Sequence, residues 1–378
     1  MRWASTVSDE PVLGRAVSRV AATLRAQLGD VRPDLLAVFV SAHHAAQFEH
    51  LPALLAAAFD PGLLIGCSAG GVIGGGREIE QRPGLSVTAA VLPDVELFPF
   101  HLQQDTPAGN LPQQSHFVIL ADPFSFDTES FLRSLDRAYP SSRKIGGLAS
   151  GGRQPGSNAL FLGRDVHRTG LVGVALAGNI EVETIVAQGC RPIGEPMFIT
   201  KCQGNLLWEL DGVSAVKVLE DLYESLDPGD QELARHSLFL GIVMSEQQQE
   251  YRQGDFLIRN VVGMDADRGV LAVGAALHES SVVQFHLRDA KTSAADLEQL
   301  LARQEGLAQP QGALLFSCLG RGVYLYGRPD HDTDAFRRHM GDVPLGGFFC
   351  NGEIGPVHGT TFLHGYTSSF GLFRRRSS

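Results

Sequence analysis

The chain has 378 residues, 44% hydrophobic and 19% charged, with 42 acidic against 31 basic side chains and a formal net charge of −11. That length exceeds what one hydrophobic core usually organises, so two domains are expected. The acidic surplus disfavours nucleic acid and anionic membrane as partners. Five cysteines with no C-x-x-C pair argue against a disulfide framework and a zinc site. Residues 1–10 hold no apolar leader core and no apolar run could span a bilayer, so a cytoplasmic, reduced protein is expected.

Leu13, Val17, Val20, Leu24 and Leu28 recur at helical spacing and predict an amphipathic helix ending at Gly29. An all-apolar strand follows over 35–40, then an alanine-rich helix over 44–59 that Pro52 must kink or split. Leu63 to Cys67 predicts the next strand, which runs into a glycine loop continued by Val72–Gly76. Further strands are predicted over 85–92, 117–121, 171–177 and 180–187, with a helix over 129–139. Asp211-Gly212 precedes a helix bearing Val216, Leu219, Tyr223 and Leu226, and the domain boundary is placed there, giving 1–212 and 213–378. The second part predicts strands over 237–243, 256–261, 270–275, 282–287 and 313–318, and helices over 293–304 and 331–340. Glu246–Glu250 reads as an exposed polar loop or helix face, and Arg374–Ser378 as a frayed basic tail. The expected class is α/β (α+β): two related strand-rich halves, with mixed sheets covered by helices in a layered sandwich.

A glycine pattern appears three times after apolar runs, at Ile65-Gly66-Cys67-Ser68-Ala69-Gly70-Gly71, Ile145-Gly146-Gly147-Leu148 with Gly151-Gly152, and Leu345-Gly346-Gly347-Phe348 with Gly352. Glycine lets another backbone or a ligand approach closely. The first copy fits G-x-S-x-G, the spacing of a nucleophile elbow, and resembles the patatin-type elbow with Asp211-Gly212 as its downstream partner. Two departures count against it: no helix is predicted next, and residues 1–62 lack a glycine-rich oxyanion loop. Ser68 or Cys67 would be the nucleophile of that alternative hydrolase. The second and third copies lack the serine, so backbone geometry explains the repetition better than shared chemistry. No nucleotide-binding glycine motif is present, and no cofactor, catalytic or metal residue is assigned.

The distinct chemistry lies near the third copy. Arg321 sits between Gly320 and Gly322 after a strand, where it could clamp a carboxylate. Glu353 could meet an ammonium group, and Asn351 offers both a donor and an acceptor. The bland alternative is that Arg321 and Glu353 only pair with each other. The candidate ligand-binding set is Arg321, Asn351 and Glu353, with Cys318, Gly347, Gly66, Cys67, Ser68 and Gly70 as secondary wall.

The chain resembles the FIST proteins, in which a FIST N domain precedes a FIST C domain. The resemblance rests on Ile65 to Gly71, Gln188-Gly189-Cys190-Arg191-Pro192-Ile193-Gly194, Glu209-Leu210-Asp211-Gly212, Phe316-Ser317-Cys318-Leu319-Gly320-Arg321-Gly322 and Asn351-Gly352-Glu353-Ile354-Gly355-Pro356, in that order. It implies a sensory module for small polar ligands such as amino acids, and a eukaryotic relative uses the fold in an F-box adaptor. No kinase, cyclase, chemotaxis or F-box segment is read here, so a separate signalling partner is expected. A protein-binding adaptor that takes no metabolite is the third alternative.

Overall fold

In the computed structural model, which describes residues 1–104, 109, 111–245 and 250–376, the chain divides into two compact units. The larger comprises Met1–Val186, Leu297–Leu363 and Thr367–Ser378, and the smaller Ala187–Asp296 and His364–Tyr366. Residues 246–249 of the polar stretch lie outside the described residues.

The larger unit uses one strand pattern three times. The first copy runs β1 (Arg2–Ser8), α1 (Leu13–Leu28), β2 (Leu35–Ser41), a short 3-10 helix (Ala42–His50), α2 (Leu51–Phe59), β3 (Leu63–Ala69), the hairpin β4 (Gly71–Gly74) and β5 (Arg77–Glu80), and β6 (Leu85–Val91). The second runs β7 (Val95–Leu102), β8 (His116–Ala121), α3 (Thr128–Ala138), β9 (Lys144–Leu148), the hairpin β10 (Leu160–Leu162) and β11 (Asp165–His167), and β12 (Leu171–Gly178). The third opens with β13 (Glu181–Gln188) and is then interrupted by β14 (Cys190–Gln203), β15 (Leu206–Leu210), β16 (Val213–Ser214), α4 (Ala215–Ser225), α5 (Pro228–Ser237), β17 (Leu238–Val243), β18 (Phe256–Asp265), β19 (Val270–Val273), β20 (Val282–Arg288) and α6 (Ala290–Ala302). It resumes with β21 (Gly312–Cys318), α7 (Gly322–Tyr326), α8 (His331–Met340), β22 (Leu345–Cys350), the hairpin β23 (Glu353–Val357) and β24 (Thr360–His364), and β25 (Thr367–Arg374).

The pairing confirms the equivalence. The three sheets are ordered β1-β6-β2-β3-β10-β11, β7-β12-β8-β9-β23-β24 and β13-β25-β21-β22-β4-β5. Each contains one parallel pair (β2–β3, β8–β9 or β21–β22) joined through helices, the crossover that parallel strands require. Each sheet is completed by a hairpin from another copy: the second copy completes the first sheet, the third completes the second, and the first completes the third. This cyclic exchange covers an edge of every parallel pair and ties the copies together.

The glycine pattern is the backbone device of these pairs. Gly66 lies opposite Val38, Gly146 opposite Ile119 and Gly347 opposite Leu315. A Cβ at the three glycines would sit 2.0, 1.8 and 1.8 Å from the carbonyl oxygen of that same partner, so no larger residue fits. The expectation of glycine loops is thereby corrected: these glycines lie inside strands, and Val72–Gly76 forms most of β4 and its turn, where Gly75 and Gly76 both have positive φ. The structural equivalent of Gly146 is Gly347, one position beyond the match that the two Gly-Gly pairs suggest.

Residues from all three sheets form a shared apolar cluster. In it Phe39 stacks on Phe348 at 4.7 Å and meets Phe316 edge-on at 6.4 Å. Helices α1 and α2 cover β2, β3 and β6, with Leu24, Leu55 and Val38 in one cluster. In the smaller unit β14, β20, β17, β18, β19 and β15 pair in sequence, and β14 also pairs with β15, so the sheet closes into a barrel around Leu240, Leu271 and Phe285. The fold is the strand-rich α/β arrangement with mixed sheets that the sequence predicts. The basic tail is corrected in part, because Arg374 ends β25 and pairs with Glu183 at 2.5 Å. Among the described residues no helix is long and apolar enough to cross a membrane.

Candidate functional site

The C-terminal ends of β3, β9 and β22 meet at one place, and in sheets with parallel strands that edge is where ligands bind. The Ser150 amide donates to the Ser68 carbonyl at 3.1 Å, and the Ser150 hydroxyl donates to the Phe349 carbonyl at 2.5 Å. Gly70 N–H donates to that hydroxyl at 2.8 Å, and Asn351 N–H to the Leu148 carbonyl at 3.1 Å. A Cβ on Gly70 would strike Leu319 Cδ2 at 2.4 Å, which places the loop after β21 against the loop after β3. The structure thus brings the ends of all three glycine segments together.

Neither residue of the hydrolase alternative is activated there. Ser68 is buried, with its hydroxyl 3.3 Å from the Ser150 carbonyl and 3.2 Å from Asn158 Oδ1, and it accepts the Ala159 amide at 3.1 Å. None of these partners is a base. Cys67 is fully buried, and burial pushes its thiol well above the ordinary value.

Equivalent positions in the three copies isolate what is special about the third. One residue past the key glycine, the exchanged hairpin presents Leu160 in the first sheet, Glu353 in the second and Val72 in the third. Two residues past its partner, the first strands of the pairs carry Val40, Ala121 and Ser317, facing Leu85, Leu171 and Ser368 on the neighbouring strand. The fold accepts apolar residues at these places in the first two copies. The third copy supplies a carboxyl group and two hydroxyls instead.

Those hydroxyls serve Asp332 near the start of α8. Ser317 and Ser368 donate to Asp332 Oδ2 at 3.1 and 2.6 Å, Arg321 Nε and Nη2 approach its two oxygens at 3.0 and 3.1 Å, and His331 Nδ1 lies 2.9 Å from Oδ1. Arg321 is fully buried and lies over the Tyr326 ring, which stacks on His331 at 3.4 Å. Burial alone would raise the Asp332 carboxyl, but the Arg321 charge and the hydrogen bonds hold it far below the carboxylate range. The expected bland alternative, Arg321 paired only with Glu353, is therefore corrected: the ion pair of Arg321 is with Asp332.

A second carboxyl belongs to the same cluster and comes from the first copy. Glu78 on β5 is buried, accepts the Thr333 amide at 2.8 Å through Oε1, and among the described residues has no partner for Oε2. Burial first, then the Asp332 charge, pushes it up to about 8. Glu80 accepts the Val323 amide at 2.9 Å, and Gly322, at φ +60, leaves room for it. The exchanged hairpin thus clasps the crossover helices of the third copy.

Glu353 is fully buried and accepts the Thr367 amide at 3.2 Å. The Cys350 thiol is pushed well up by burial and then by Glu353, Cys67 and Cys318, so three thiols and this carboxyl are electrostatic neighbours. Asn351 is exposed and Cys318 half-buried. Asp332, Ser317, Ser368 and Glu78 escape sequence reasoning, although His331-Asp332 at a helix start is the signal that could have found the first. A half-open cavity of about 430 Å³, lined by residues including Trp3, Ser5, Gly75, Gly76, Phe336 and Arg337, contains none of the predicted residues. Among the described residues no group of His, Cys, Asp and Glu could hold a metal ion.

Comparison with known proteins places this architecture. The FIST N domain model matches residues 34–213 and the FIST C domain model residues 215–356. The chain belongs to the FIST family, whose domains are associated with sensory and signalling roles. The FIST C match spans both compact units, since residues 215–296 lie in the smaller and 297–356 in the larger. An uncharacterized protein of Mycobacterium tuberculosis is 38% identical over 385 residues, covering 99% of this chain and 100% of that one. Another, of Mycobacterium bovis, is 34% identical with 99% of both chains covered. Human F-box only protein 22 is 35% identical over 102 residues, covering 26% of this chain and 25% of that protein.

Proposed function

We propose that this protein is a sensory module for a small polar metabolite of amino-acid type, bound where β21 and β22 end. The carrying observation is the internal comparison: Glu353, Ser317 and Ser368 stand where the other copies carry leucine, valine or alanine. Buried polar groups cost free energy that apolar ones do not, so a polar set confined to one of three equivalent places supports function over folding.

In this reading Asn351 and the backbone around Gly70 receive the polar ends of the ligand, and Gly66 and Gly347 allow the close strand approach beneath. Cys67, Ser68 and Cys318 form the wall, and Glu353 faces the ammonium group. Arg321, held by Asp332, sets the loop and supplies positive potential to a ligand carboxylate. Occupancy favours one arrangement of this edge, which a separate partner protein reads. The test is thermal stabilisation of the full chain by a panel of amino acids, repeated with Asn351→Ala and Glu353→Leu. A stabilising amino acid whose effect both substitutions abolish supports the reading. A response that both leave intact removes it.

A further inference from the structure

Cys318 ends β21 and Cys350 ends β22, and the two are direct register partners on the parallel pair. Register partners on parallel strands point to the same face, and neighbouring strands lie about 4.8 Å apart, within the Cα separation that a disulfide spans. The Cys318 sulfur accepts the Gly320 amide at 3.4 Å, and the Cys350 sulfur lies 3.6 Å from the Phe348 carbonyl. Cys350 is fully buried, with its sulfur 2.5 Å from where a Gly147 Cβ would sit. Cys318 is half-buried, beside the exposed Leu319. Cys318 is thus the less buried residue of the pair and Cys350 the fully buried one.

We propose that Cys318 and Cys350 are a modification site at which a hydroperoxide closes a disulfide between β21 and β22. Cys318 sulfur attacks the terminal peroxide oxygen, the O–O bond breaks, and the alcohol or water leaves with a proton, giving a sulfenic acid. Cys350 sulfur then attacks the Cys318 sulfur, the S–O bond breaks, and water leaves with the Cys350 proton. Two electrons pass from the sulfurs to the peroxide. The bond joins the strand ends that lead to Arg321 and Asn351, and its formation needs no metabolite.

The experiment treats the full chain with hydrogen peroxide and maps its peptides without reduction. The expected result is loss of two of the five thiols, a linked Cys318–Cys350 peptide pair that dithiothreitol releases, and the same link in Cys67→Ser. In Cys350→Ser, Cys318 should accumulate as a sulfenic acid captured by dimedone. A link from Cys350 to Cys67, stable sulfenic or sulfinic acid at Cys318 of the unaltered chain, or no oxidation of either thiol would each overturn the proposal. The unaltered chain decides the matter even if a variant fails to fold.

Discussion

The first two copies of the strand pattern and the third differ where their central strands end. In the first two, Val40, Ala121, Leu85, Leu171 and Leu160 hold the compared register positions with hydrocarbon, and the polar groups beside them are Ser68, Asn158 and Asp122. In the third, Ser317, Ser368, Asp332 and Arg321 form a buried charged network, and the third copy's hairpin carries Glu353 into the neighbouring sheet. Since the same backbone is built three times, what all copies share reports on folding. What one copy alone carries needs another reason.

The largest expected effect tests the charged network. Arg321→Met leaves Asp332 as an uncompensated buried charge and should cost about 3–5 kcal/mol, read as a lowered urea midpoint. Arg321→Met with Asp332→Leu should recover much of that loss, and failure to recover would mean that the pair does not act as a unit. Next come the shared glycines. Gly66→Ala, Gly146→Ala and Gly347→Ala should each cost about 3 kcal/mol by driving a methyl into the opposite carbonyl. One that is tolerated while the others are not would break the equivalence of the copies.

Glu78 gives a pH signature. Its carboxyl titrates at about 8 in the folded chain against an ordinary value of 4.5, so the folded state holds the extra proton across that window. Stability should therefore be fullest below the ordinary value and fall as pH rises toward 8 and through it. Glu78→Gln should flatten that fall in denaturation curves taken at several pH values. An unchanged slope would place the proton elsewhere. The smallest effect is at Ser68, where Ser68→Ala leaves the Ala159 amide without its acceptor and should cost about 1 kcal/mol.

Much of the fold was legible. The helical spacing from Leu13 to Leu28 and the apolar runs of β2, β3, β8 and β21 name their elements directly. The hairpin β4–β5 was hidden because its turn glycines and its strand glycines look alike in sequence. The cyclic exchange was invisible because it lies in pairings between distant segments, such as Val72 with Phe348. At the site, Arg321 was findable from its flanking glycines. Its partner Asp332 carried only the weak signal of His331-Asp332 at a helix start, since an acidic residue in the first turn of a helix already has an ordinary explanation. Glu353 stands out only when Leu160 and Val72 are known to be its equivalents.

The central claim is that the third copy carries the function while the fold would accept an apolar residue in its place. The direct measurement is melting of Glu353→Leu, which installs the residue found at the equivalent Leu160, with and without the amino acid that stabilises the unaltered chain. The account predicts a folded protein destabilised by no more than about 1 kcal/mol, the cost of leaving the Thr367 amide without its acceptor, and complete loss of the ligand-induced shift. A folded Glu353→Leu protein that keeps the full shift would contradict it.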